Sequence, residues 1–464
     1  MTLIKSISGI RGTIGGIPGD GLTPMDIIKF TSAYGTLVLK NTQAKKHTVV
    51  IGRDARMSGE MVSSLVCGTL TGMGIDVIDL GLSTTPTVEM AVTELKADGG
   101  IILTASHNPK QWNALKLLNE KGEFISEEIG TELLKLAEKA EFNYAEVNNL
   151  GKYSENKDFL SVHIQKILSL PYVDVEAIKN ADFSVVVDAI NSCGGFVVPE
   201  LLEKLGVKKI TVINEEANGD FAHNPEPLPE HLTDLSKTVL KQKAHLGISI
   251  DPDVDRLALV CEDGEMFGEE YTLVAVADYV LQFHKNGNTV SNLSSTRALR
   301  DITEKQGGKY SASAVGEVNV VKMMKDSKAV IGGEGNGGII LPELHYGRDA
   351  LVGIAIFLTQ LAKSGKSVSV LRSTFPNYFI SKNKIELTPQ INVDNVLEKI
   401  KDKYKNQPVN VVDGVKIEFD KEWVHLRKSN TEPIIRIYSE SQTQSTAESL
   451  AKKIISDIKE IIKN

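Results

Sequence analysis

The chain has 464 residues, 41% of them apolar and 24% charged, close to the usage of folded globular proteins, which excludes disorder, collagen and coiled coil. The 52 Lys and Arg against 60 Asp and Glu leave a net charge of −8, so the chain has no general attraction for a polyanion and nucleic acid is not an expected partner. At about 150 residues per domain the length predicts roughly three domains, or four small ones. Cys67, Cys193 and Cys261 are far apart and form no CxxC pair, which argues against a disulfide framework or a thiolate zinc site. The start, MTLIKSISGIRGTIGG, lacks a signal-peptide apolar core, and no stretch approaches the ~18 apolar residues that span a bilayer. No membrane association is expected, and a cytoplasmic location is.

Several segments share one pattern, a β-branched run that reaches a Gly or Asp loop and then a helix. VVIGRD (49–54) leads into SGEMVSSLVCGTLTGMG, where Met61, Leu65, Leu70 and Met73 recur at roughly helical intervals and Gly74 suits a helix end. The charged stretch 138–158 marks a first boundary. SVVVDAIN (184–191) leads into GGFVVPELLEKLG, and LGISID (246–251) has a hairpin partner, LALV, before the helix GEEYTLVAVADYVLQFHK. AVIGGEGNGG (329–338) begins a fourth unit. Alternating strands and helices predict βαβ units and largely parallel sheets, with ligands beyond the carboxyl ends of the strands. After FPNYFISKNK the pattern changes. KIEL, VKIEF and IIRIYSE read as alternating strands, and the final segment as an amphipathic helix with Leu450, Ile454, Ile458 and Ile461 on one side, a small α+β unit.

Four loops carry residues suited to chemistry. TASHNP places Ser106 beside His107, but adjacent side chains usually diverge and the GxSxG elbow of hydrolases is absent, so His107 need not serve Ser106 as a base. In DPDVDR, Asp251, Asp253 and Asp255 alternate at a strand end, and three carboxylates so close repel unless a hard cation or an arginine compensates them. An EF-hand is disfavoured because Arg256 stands where that loop requires glycine; a solvated acidic turn is the bland alternative. GGEGNGG sets Glu334 and Asn336 among five glycines but has neither P-loop nor dinucleotide spacing, and a simple tight turn is its alternative. RKSNTEPIIR holds Arg427, Ser429, Asn430, Thr431 and Arg436, the components of a phosphate cradle, or else of an exposed hairpin turn.

Together and in this order the four loops resemble those of the α-D-phosphohexomutases, a family of phosphoglucomutases, phosphomannomutases and phosphoglucosamine mutases. SGIRG (8–12), GRDARMSG (52–59) and GRD (347–349) are similar to further family segments, so the resemblance runs nearly the whole chain. It implies four domains around a central cleft, three α/β with mixed, largely parallel sheets and a smaller α+β domain at the C-terminus, expected at 1–152, 153–257, 258–373 and 374–464. It implies a catalytic phosphoserine at Ser106, one Mg²⁺ bound by Ser106, Asp251, Asp253 and Asp255, and a hexose 1,6-bisphosphate intermediate. Arg11, Lys116 and Arg256 match family positions near the transferred group, with Lys116 the proton-transfer candidate, and His107 of the phosphoserine loop is a further catalytic candidate. Glu334 and Asn336 would bind the sugar; Arg427, Ser429, Asn430, Thr431 and Arg436 would bind the phosphate. Two positions depart from common patterns, Gly338 and Glu317, where some members have histidine. The expected substrates are small sugar phosphates, glucosamine phosphate before mannose or glucose phosphate, acted on by a monomer or homodimer. A non-catalytic sugar-phosphate binder and a phosphatase are the alternatives.

Overall fold

The computed structural model describes residues 2–6, 9–41, 46–387, 391–428 and 434–463. They fall into two compact units, Met1–Tyr279 with Asn336–Arg372, and Val280–Gly335 with Ser373–Asn464.

The first unit holds two sheets. One has seven strands in the order Ile4–Ser6, Gly9–Thr13, Trp112–Leu118, Gly99–Leu103, Thr48–Arg53, Asp76–Leu82 and Tyr153–Glu155. Its last three pairings are parallel and the others antiparallel. The strand Tyr153–Glu155 comes from the charged segment expected to be a boundary. Helices Pro24–Asn41, Gly59–Gly72 and Glu127–Lys139 contribute Ile27, Phe30, Val66, Leu70 and Leu133 to the sheet's core.

The second sheet has the order Leu257–Cys261, Leu246–Ile250, Ser184–Asp188 and Lys209–Ile213, antiparallel at the first pairing and parallel at the next two. Strands Gly99–Leu103 and Leu246–Ile250 are buried along their whole length, so the polar loops that follow, TASHNP and DPDVDR, are set by rigid apolar strands. Helix Ala350–Ser364 returns to this unit late in the chain and packs against helices Phe159–Leu168 and Val175–Asn180. It is apolar nearly all round, as a helix enclosed by neighbours must be.

In the second unit Tyr310–Ser313, Asn288–Asn292 and Ala329–Glu334 are parallel neighbours. A five-stranded antiparallel sheet follows, ordered Phe379–Glu386, Ile434–Ser441, Trp423–Lys428, Val415–Glu418, Val409–Asn410. Leu450, Ile454 and Ile458 of the terminal helix Gln444–Lys463 pack on it with Ile400, as the spacing predicts, and Ile461 joins them partly buried. One expectation shifts by a residue. The buried stripe of Gly59–Gly72 is Val62, Val66 and Leu70, while Met61 is 37% exposed, because branched residues four apart fill the sheet face and the longer methionine is left at its margin. All three cysteines are buried and free. Among the described residues no helix is long and apolar enough to cross a membrane.

Candidate active site

The two reactive loops of the first unit meet at one hydrogen bond. Ser106 Oγ donates to Asp251 Oδ2 at 2.6 Å. Both loops hold an ordinary residue in left-handed backbone, Ser106 at φ 47° and Val254 at φ 60°, a conformation that disfavours a β-branched side chain in particular and persists only where surroundings enforce it.

The enforcement is visible. Ser106 N donates to Thr104 Oγ1, whose hydroxyl donates to Asp54 Oδ2 at 2.6 Å. Arg56, 1% exposed, donates to the carbonyls of Ser106, Asn108, Pro109 and Trp112 and pairs with Asp54 at 3.0 Å. Its planar fork thus pins the serine loop from beneath. Around the other loop, Asp251 Oδ1 accepts from the amides of Asp255 and Arg256 at 3.0 and 3.1 Å, closing the turn over Val254. Neither Asp54 nor Arg56 stands out by composition, because a buried arginine serving carbonyls leaves no local pattern. Arg56→Ala should take a donor from four carbonyls and the countercharge from one buried carboxylate, a loss of about 3–5 kcal/mol, read as a lower urea midpoint together with loss of turnover. Arg56→Lys should rescue neither fully, since an ammonium lacks the fork.

Asp251, Asp253 and Asp255 are each 0% exposed, which rules out the solvated acidic turn. One carboxylate oxygen of each lies within 4.8 Å of the others. Burial and the charges of Asp255 and Asp253 push the Asp251 carboxyl well above the carboxylate range. Burial acts the same way on Asp253, but Lys116 and the Thr85 hydroxyl outweigh it and hold Asp253 below that range. Lys116 Nζ lies 2.7 Å from Asp253 Oδ2 and 3.5 Å from Asp255 Oδ2, and Arg348 Nη2 lies 2.8 Å from Asp255 Oδ2. Asp253 Oδ1 and Asp255 Oδ1 are buried without a hydrogen-bond partner. An oxygen-rich buried pocket with two orphaned carboxylate oxygens fits a hard divalent cation.

Lys116, expected as a proton carrier, is raised above the usual lysine range: burial opposes its charge, but the two aspartates more than offset it. It is therefore a cation here. His107 Nδ1 is 3.3 Å from Ser106 Oγ, so these neighbours do not diverge as adjacent residues usually do. Burial, with Arg256 and Arg348, holds His107 well below the usual histidine range, and the ring is neutral. Arg11, Ser106 and Lys116 line one cavity of about 50 Å³. Arg256 Nε is 3.9 Å from Asp255 Oδ1 and Nη1 is 3.7 Å from Glu226 Oε1.

The remaining candidates divide. Glu334, 5% exposed, accepts from Asn292 Nδ2 at 2.9 Å and Gly316 N at 3.1 Å. Asn336 Oδ1 accepts from Gly338 N at 3.2 Å. A Cβ on Gly338 would fall 2.3 Å from Arg348 Cδ, so the arginine takes the room a side chain there would need. Arg348, which sequence reasoning missed as a site residue, was legible only as part of GRD. Arg427 and Arg436 face each other across two paired strands, and Lys384 is Arg436's partner on its other side, which aligns three cations. Like charges directly opposed are unfavourable without an anion, and Asp413 at 3.4 Å from Arg427 and Glu386 at 3.3 Å from Lys384 supply part of that compensation. Ser429, Asn430 and Thr431 lie outside the described residues.

Sequence models of the phosphoglucomutase/phosphomannomutase family match the chain in order: α/β/α domain I at 3–144, domain II at 161–264, domain III at 268–378 and the C-terminal domain at 388–456. A phosphoglucomutase/phosphomannomutase of Thermococcus kodakarensis is 36% identical over 97% of this chain and 99% of its own. A phosphoglucosamine/phosphogalactosamine mutase of Sulfurisphaera tokodaii is 32% identical over 98% of each. The crystal structure of a phosphoglucomutase/phosphomannomutase family protein from Burkholderia thailandensis superposes with a TM-score of 0.83 over 98% of both chains at 24% identity, a likeness of fold. With four domains matched in order and relatives alike over nearly their full length, this chain belongs to the phosphoglucomutase/phosphomannomutase family, the α-D-phosphohexomutases.

Proposed function

We propose that the chain interconverts hexose 1-phosphates and 6-phosphates through a phosphorylated Ser106, with glucosamine phosphate its favoured substrate and mannose or glucose phosphate the alternative. The observation that carries this is the 2.6 Å bond from Ser106 Oγ to Asp251, made inside a buried triad in which Asp253 Oδ1 and Asp255 Oδ1 lack partners. A purely binding protein has no use for a serine placed there.

Mg²⁺, held by Asp251, Asp253 and Asp255 with Ser106, supplies charge neutralisation for the phosphoryl group. The chain supplies the rest. A sugar hydroxyl forms its bond to phosphorus as the bond from phosphorus to Ser106 Oγ breaks, giving a sugar bisphosphate. After the bisphosphate reorients, Ser106 Oγ bonds to the other phosphorus as that phosphorus parts from its sugar oxygen, which receives the proton the serine gives up. Arg11, Lys116 and Arg256 surround the moving charge with positive groups, which this chemistry requires more than a covalent partner. Lys116, as the ammonium, gives its proton to the leaving Ser106 Oγ and takes in exchange the proton that the attacking sugar hydroxyl loses. His107 fixes the orientation of Ser106. Arg427 and Arg436 hold the phosphate that is not in transfer, together with Ser429, Asn430 and Thr431. Glu334 and Asn336 select the ring, Glu334 being set for this by Asn292 and Gly316.

The test is a coupled assay of the 1- and 6-phosphates of glucosamine, mannose and glucose with a trace of the matching bisphosphate. Glucosamine phosphate should lead in kcat/KM by about tenfold. A lead for mannose or glucose phosphate selects the alternative, and no turnover of any of them defeats the proposal.

A further inference from the structure

Behind the aspartate triad lies a buried chain of polar groups that the reaction itself does not use. Asp349, 0% exposed, caps helix Ala350–Ser364 through Oδ1, which accepts from Leu351 N at 2.8 Å. Its Oδ2 receives two histidines, His163 Nε2 at 2.9 Å and His345 Nε2 at 3.3 Å. His163 Nδ1 reaches Thr87 Oγ1 at 2.9 Å, and His345 Nδ1 stands 3.3 Å from Glu89 Oε2. Thr87 and Glu89 lie on helix Thr85–Glu94. The two histidines therefore clamp that helix to the segment 345–349 inside the first unit.

Both ends of the clamp touch the triad. Thr85, first residue of the helix, donates from Oγ1 to Asp253 Oδ2 at 2.6 Å and from its amide to Asp253 O at 2.9 Å. Arg348, next to Asp349, bonds Asp255 Oδ2, and Ala350 N donates to Val254 O at 3.2 Å. Gly347 completes the fit, because a Cβ there would fall 1.7 Å from Glu89 Oε2. The glycine of GRD thus admits the carboxylate, its arginine seats on a triad aspartate, and its aspartate takes the histidines.

We propose that His345 and His163 are positioning residues for the divalent ion: by locking Glu89 and Asp349 together they fix Thr85 on Asp253 and Arg348 on Asp255, and so set the spacing of the two carboxylates. The inference rests on the metal reading above. The two carboxylates beside His345, which outweigh its burial, raise its pKa to about 10. The ring stays charged through the neutral range, and the clamp is constant there rather than a switch. Its contribution to stability is complete below the unfolded value of 6.5 and is lost as pH rises through about 10.

The experiment is Mn²⁺ binding to the full-length chain, followed by paramagnetic resonance with no sugar present, alongside kcat and KM. His345→Gln should weaken Mn²⁺ binding about tenfold and lower kcat, with KM for the sugar phosphate changed less than about twofold. Thr87→Val, a smaller lesion that removes the hydroxyl from His163 and from the capping Thr84, should weaken Mn²⁺ about threefold in a chain that still folds, and it decides the matter if His345→Gln does not fold. Wild-type affinity in a folded variant of either kind overturns the positioning role while leaving the metal reading intact. A wild-type chain that binds no Mn²⁺ overturns both.

Discussion

Replacing Ser106 with alanine should abolish turnover, by on the order of 10⁴-fold or more, equivalent to about 5.5 kcal/mol of transition-state stabilisation. Intact-mass measurement should show one phosphoryl group on a fraction of the wild-type chain and none on the variant. The argument is local: Ser106 is the hydroxyl that reaches Asp251, and its left-handed backbone points Oγ there at the expense of strain. A companion variant separates chemistry from strain. Ser106→Gly is equally inactive, but it relieves a left-handed penalty of about 1 kcal/mol and should unfold at a higher denaturant concentration than the alanine variant. A phosphoryl group that persists in Ser106→Ala would place the nucleophile elsewhere.

Asp253→Asn should cut kcat/KM by about a thousandfold, a change of roughly 4 kcal/mol, while leaving the unfolding midpoint close to wild type. Removing one partner of a buried ion pair ordinarily destabilises a protein strongly, because the other charge is left alone. Here Lys116 keeps Asp255 at 3.5 Å, the amide oxygen still accepts from Thr85, and the repulsion that drives Asp251 upward is reduced. Stability and activity should therefore separate. Excess chelator should produce the same loss in the wild-type chain, reversed by Mg²⁺. Full turnover in chelator would remove the metal from the reaction.

The loops were legible because their chemistry is written in consecutive residues. DPDVDR follows an apolar strand, and a run of carboxylates there has few physical explanations. The strand pattern was legible for the same reason, as at LGISI, buried from end to end. What was hidden is what the tertiary structure assembles from single residues far apart. Arg56 serves four carbonyls between 106 and 112, and nothing near it in sequence announces them. Arg348 meets Asp255 across 93 positions, and His163 meets Asp349 across 186. The strand Trp423–Lys428 escaped notice because His425, 2% exposed, is a polar residue on an inward position, bonded to Ser294 and to the Asp413 carbonyl. Lys116 was expected to transfer a proton, and only coordinates could show two aspartates holding that proton on it.

The order in which the chain visits its two units bears on how it is born. Synthesis leaves the first unit at Tyr279 and comes back at Asn336. A ribosome-bound chain ending between them has its serine loop and all three aspartates yet lacks Arg348, the Asp349 cap and the helix that closes over them. At 5–20 residues per second the wait lasts roughly 3–11 s, during which the aspartates are held on one side only and the apolar surfaces awaiting Ala350–Ser364 are bare. That interval is when a nascent chain of this architecture is most exposed to aggregation, and when a chaperone that covers apolar surface has the most to protect.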